Sequence, residues 1–178
     1  MDADLSARPM TEGELRRELE SPGELLALQI LTGAFAMGVL LFLAVTVLLW
    51  IAGSGDRAPG DQDLGLFPIL TTVNAVLFAG CLVSGLALHG FLTRDLGRAA
   101  SAAQFLAGLR GPALLRLSLL EGSALFGIVI CLLGVIQGAV RSLPWIWANS
   151  APAIFFLLFS LATFPTRERV VDLFLSRR

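Results

Sequence analysis

The sequence has no lysine, a single histidine (His89), two cysteines and little charge of either sign: 15 % of its 178 residues are charged and the net charge is −1. That balance points away from a nucleic-acid partner, which would call for a basic face. One histidine and the isolated Cys81 and Cys131 make no metal-ligand pattern. No nucleophile–base set or phosphate-cradling glycine loop accompanies them, so neither catalysis nor a cofactor is expected. Both cysteines read as small buried packing residues. The first ~20 residues are acidic and polar and lack the basic-then-apolar order of a signal peptide, so the first apolar run is expected to act as an uncleaved anchor. Strict period-two alternation is missing, which argues against a β-barrel.

Apolar residues fill the space these absences leave. They make up 56 % of the chain, and the mean hydropathy is +0.78. Four runs stand out: Leu25–Ala52, Phe67–Leu92, Ala113–Gln137 and Trp145–Phe164. Each is about long enough to cross a ~30 Å hydrocarbon core at ~1.5 Å per residue. Lipid offers no partner for backbone polar groups, so the runs are predicted to be helices. The expected fold is all-α, an integral membrane four-helix bundle. It has a polar tail over residues 1–23, a transmembrane domain over 24–164 and an amphipathic tail over 165–178.

The arginines orient the bundle. Arg8, Arg16 and Arg17 precede the first span. Arg94, Arg98 and Arg110 lie between the second and third, with Arg116 at the inner start of the third, and Arg167, Arg169, Arg177 and Arg178 follow the fourth. Only Arg57 and Arg141 fall on the other side, so both termini are expected in the cytoplasm and the protein in the inner membrane. Trp50, Trp145 and Trp147 mark the opposite interface. The loop "GSGDRAPGDQD" reads as turn, and Pro144 suits the first turn of the fourth helix. In the N-terminal tail Glu12–Arg16 and Arg16–Glu20 are spaced for helical pairing. Between spans two and three, Leu96, Ala99, Ala103, Leu106 and Leu109 predict a short surface helix that stops at Gly111-Pro112. In the C-terminal tail a helix restarting at Thr166 would turn Val170, Val171 and Phe174 toward lipid.

The first and third spans echo each other. In "LTGAFAMGVLLFL" (31–43) and "LEGSALFGIVICL" (120–132), Leu31, Gly33, Gly38 and Leu43 recur as Leu120, Gly122, Gly127 and Leu132. Two tandem helical hairpins would account for this. Thr32 then stands where Glu121 stands in the second copy. On the third span Ser123, Gly127, Cys131, Gly134 and Gly138 form a stripe of small side chains. With Gly33 and Gly38 on the first span, they predict close helix packing.

Glu121 is the single acid inside a predicted span. Acids in lipid are costly and often functional. Arg116 lies five residues earlier, which puts Glu121 roughly 7 Å inside the boundary. His89, Thr32 and Ser160 fall at a similar depth and complete a candidate ion-binding set. Asn74, Gln137, Asn149 and Ser150 form a second polar layer, expected to join helices by hydrogen bonds.

The stretch "EGSALFGIV" resembles the acid-bearing helix of rotary ATPase c subunits, the proteolipids, whose pattern is like E-x-x-A-[IL]-[FY]-G-[IL]-V. The matching positions are Glu121, Ala124, Leu125, Phe126, Gly127, Ile128 and Val129. Four helices from a doubled hairpin with one acid also resemble the V-type proteolipid. The resemblance implies that Glu121 carries a proton or Na⁺, that Ala124, Phe126 and Gly127 shape its surroundings, and that copies assemble as a homo-oligomer. The competing expectation is a non-transporting structural or accessory subunit that docks on other membrane subunits, with the bilayer as its surroundings in both cases.

Overall fold

The computed structural model describes residues 11–19, 23–53, 64–94, 96, 99 and 101–176. The loop over 54–63 and the Arg16–Glu20 pairing lie outside them. The described chain is all-α: α1 Glu12–Glu18, α2 Glu24–Ile51, α3 Leu66–Leu92, α4 Ala102–Ile136, α5 Ala139–Ser142, a 3₁₀ turn Pro144–Ser150 running into α6 Ala151–Ala162, and α7 Arg167–Ser176. Four helical segments are long and apolar enough to cross a membrane, over Leu25–Ile51, Leu66–Leu92, Ala103–Ile136 and Pro144–Ala162. The chain is therefore a small multi-pass membrane protein.

The bundle is organised around α4. Helices α2, α3 and α6 each pack on it, and α2 also meets α6. The outer faces of α2 and α3 expose Met37, Leu41, Leu48, Val73, Val76 and Val83. In water such a surface would be untenable, whereas lipid tails solvate it without cost. Val39, Leu117, Leu120, Ala124, Ile128, Ala153 and Phe156 are buried where α2, α4 and α6 converge.

The fourth span solves a length problem. Nineteen residues from Pro144 to Ala162 would reach only about 28 Å as α-helix, but seven of them are 3₁₀ with a rise of ~2.0 Å, which brings the segment to roughly 32 Å. Pro152 explains the tighter winding. It has no N–H for the carbonyl of Ala148, which instead accepts from the backbone N–H of Ala151.

Helix α4 does not stop at Gly111-Pro112, contrary to the sequence expectation; it runs unbroken through both. Proline normally clashes with the residue before it and with the carbonyl four residues back. The residue before it is Gly111, which has no Cβ to crowd the pyrrolidine ring. Ser101 caps the start, accepting from the Gln104 N–H at 3.2 Å. The helix has 35 residues, roughly 52 Å at ~1.5 Å each, so its first turns project beyond a ~30 Å core.

That projection carries a cap. Leu15, Leu19, Phe105, Leu106, Leu109, Val170, Val171 and Phe174 form one buried cluster joining α1, the start of α4 and α7. The apolar face of α7 thus meets protein and not lipid, which corrects the expectation for Val170, Val171 and Phe174. The rings of Phe105 and Phe174 meet edge to face at 5.4 Å. Arg16 donates to Glu12 at 2.8 Å on the outside of the cap, as the spacing anticipates. Both terminal helices stand at the same, arginine-rich end. At the other end Trp50 and Trp147 pack edge to face at 5.6 Å.

Candidate functional site

Glu121 lies at a seam. Around α4 the buried positions Leu120, Ala124 and Ile128 face α2 and α6, while Ser118, Gly122, Val129 and Leu133 are exposed. Glu121 falls between these faces and is half-buried. Its Oε1 lies 3.9 Å from where a Cβ at Gly38 of α2 would stand, an ordinary contact distance that sets the carboxyl beside α2. Among the described residues it has no ion pair or hydrogen bond. Arg116 is five residues earlier and so points roughly 140° away around the helix. Its guanidinium sits 4.8 Å over the Phe159 ring, and its Cγ is 3.4 Å from the Cβ position of Gly85 on α3.

The other predicted ion-site residues are elsewhere. Thr32 and His89 line a cavity of about 90 Å³ at the arginine-rich end, together with Arg116, Thr163 and Arg169. Leu28, Leu117 and Leu173 contribute apolar wall. Thr32 donates its hydroxyl to Leu28 O at 2.9 Å, and Thr163 donates to Phe159 O at 2.8 Å. Ser160 is buried on α6, its Oγ without a hydrogen-bond partner among the described residues, and is not part of the cavity lining. The structure therefore brings Thr32 and His89 together but not with Glu121 or Ser160. It adds Arg116 and Arg169, which in the sequence mark topology and, for Arg116, depth. An arginine within an apolar helix five residues from an acid was the signal available for the first; the second depends on the path of α7 and left none.

The polar layer at the tryptophan end is a hydrogen-bond hub. Asn74 Nδ2 donates to Asn149 Oδ1 at 3.1 Å, and Asn149 Nδ2 donates to Thr71 Oγ1 at 2.8 Å and Ile146 O at 3.0 Å. Ser150 instead donates within its own turn, to Trp147 O. Asn149→Leu is expected to lower stability by roughly 1–2 kcal/mol, because Thr71 and Asn74 lose interhelical partners. Equilibrium unfolding in mixed micelles checks this.

The small-residue stripe packs internally. Ser123, Gly127, Cys131 and Gly134 are buried, with Asn149 against Gly127 and Ile146 against Gly134. Cys131 donates to Ile146 O at 3.4 Å. Gly138 has a different role: at φ 71 it lies beyond α4 in the left-handed region and turns the chain. Gly33 has no atom within 4 Å of its Cβ position. Compared with family models, with curated proteins and with solved structures, the chain matches none.

Proposed function

We propose that this multi-pass membrane protein uses Glu121 as a reversibly protonated group at the seam of α2 and α4, a proton-carrying role like that implied by its local resemblance to c-type proteolipids. The supporting observation is the setting of the carboxyl: half-buried in the apolar part of α4, beside Gly38 and with no counter-charge among the described residues. An ionised carboxylate so placed forfeits water without gaining a partner, and the neutral acid is the cheaper occupant. Position at the edge of the lipid-facing surface gives the group access to a second subunit gliding past or docking on it. The arginine bias puts the capped end in the cytoplasm.

Infrared difference spectroscopy of the reconstituted protein through a pH step tests the reading. The wild type is expected to show the carbonyl band of a protonated carboxyl at neutral pH, and Glu121→Gln to lack it. A Glu121 that gives only carboxylate bands at neutral pH would overturn the proposal. A second reading, a non-transporting accessory subunit, draws on α3, where Gly80 and Ser84 are exposed and nothing lies within 4 Å of the Gly80 Cβ position. Such a face admits a close helix from another chain. Native mass spectrometry separates the two: many copies of this chain favour the first, one copy with other subunits the second.

A further inference from the structure

The cavity at the arginine-rich end has a chemistry that the Glu121 reading does not use. It lies where the inner ends of α2, α3, α4 and α6 meet α7, with Leu28 and Thr32, His89, Arg116 and Thr163 contributed by the four spans and Arg169 by α7. Its lining includes two guanidinium groups and an imidazole, and no carboxylate. Arg116 is the informative member. Its Nε is buried and has no hydrogen-bond partner among the described residues, and no ion pair there involves it. A buried polar group in this state loses water and gains nothing, unless something fills the space in front of it. Phe159 beneath the guanidinium and Gly85 against its Cγ hold the side chain in place.

Arg169 is held in place as well. Arg169 donates through Nη1 to Leu161 O at 3.3 Å and Phe164 O at 3.2 Å, the end of α6 and the link beyond it. A guanidinium has five N–H donors, so this anchorage leaves others to face the cavity. The link is pinned from the opposite side by Gln29 Nε2, which donates to Pro165 O at 2.9 Å. Thr32 and Thr163 commit their protons to their own helices, so the donors for a ligand are those of Arg116 and Arg169. About 90 Å³ is several times what one water needs, enough for a tetrahedral oxyanion. Arginine forks match phosphate oxygens in geometry as well as charge.

We propose that this cavity binds a phosphate group between Arg116 and Arg169, presented by an anionic phospholipid headgroup or as a free phosphate. Its walls of leucine below and charged rim above are at the depth where a headgroup joins its acyl chains. Bound there, the ligand ties α7 and the cap to the spans.

The test uses the full-length protein. In one arm it is titrated with phosphatidylglycerol or with zwitterionic phosphatidylcholine in detergent, and retained lipid is counted by native mass spectrometry. In the other arm the melting temperature is followed in inorganic phosphate against chloride at matched ionic strength. Preferential retention of phosphatidylglycerol, about tenfold weaker in Arg116→Gln and partly restored in Arg116→Lys, is the expected result and identifies a lipid. A phosphate-induced rise in melting temperature lost in Arg116→Gln, without lipid preference, identifies a free phosphate and also sustains the proposal. Arg169→Gln, at an exposed position, gives the same comparison if the Arg116 variants do not fold. Glu121→Gln is expected to bind as the wild type does. Response to neither ligand, or equal binding by the wild type and folded Arg116 or Arg169 variants, would overturn the site.

Discussion

Gly127→Ala is expected to destabilise the bundle more than any other single-methyl addition in the membrane-spanning part. A Cβ at this position would overlap the main-chain oxygen of Asn149, with Asn74 Nδ2 only 3.0 Å and the Asn149 carbonyl carbon 3.2 Å away. The obstruction is backbone, so no rotamer change relieves it. The 3₁₀ turn must shift away from α4, and the hub that joins Asn149 to Asn74 and Thr71 shifts with it. Overpacking of a closed core costs about 1–3 kcal/mol and occasionally more. Loss of two hydrogen bonds adds to that, so a total above roughly 3 kcal/mol is expected. Gly33→Ala supplies the control. Nothing lies within 4 Å of its Cβ position, so relief of glycine's backbone entropy should leave stability unchanged or raised by up to about 1 kcal/mol. Unfolding in mixed micelles, read by tryptophan fluorescence, compares the two. Similar stability for both variants would show that the turn does not sit against Gly127.

Phe174→Ala is expected to release the cap while leaving the spans intact. Phe174 is fully buried in the cluster shared by α1, α4 and α7. Truncating a buried phenylalanine costs about 3–5 kcal/mol, and helices α1 and α7, with 7 and 10 residues, are too short to persist without that packing. Amide exchange should therefore accelerate by more than about 100-fold in residues 12–18 and 167–176. Exchange in the membrane part of α4 should hardly change. Unchanged exchange in α7 would place its apolar face in lipid after all, as the sequence pattern suggested.

That contrast shows what the sequence could convey. Four long apolar runs demand helices because lipid leaves the backbone no other partner, and the spans were legible to within a few residues at most of their ends. The start of the third was not. Proline reads as a breaker, and the glycine before it, Gly111, gains its meaning only once the helix is assumed. Periodicity in α7 identified an apolar face but not what covers it, since lipid and a second amphipathic helix ask for the same residues. The stripe through Gly127 announced a close approach without revealing that the approaching group is a carbonyl of the same chain.

The polar residues divide in the same way. Depth along a helix can be counted from an arginine, and by that count alone Glu121, His89, Thr32 and Ser160 fall together. Azimuth cannot be counted across helices whose rotation is set by packing. His89 and Thr32 turn inward to Arg116, whereas Glu121 turns to the α2 seam, and the set assembled by depth separates into two places. The acid ends up beside Gly38, and the basic cavity stands apart from it.

The protonation of Glu121 in the membrane is tested most directly by labelling with dicyclohexylcarbodiimide, which reacts with a neutral carboxyl in an apolar setting. The account predicts modification at Glu121 in native membranes, faster as the pH is lowered and lost in Glu121→Gln. A Glu121 that stays unmodified at every pH, or reacts at a rate indifferent to pH, would contradict it.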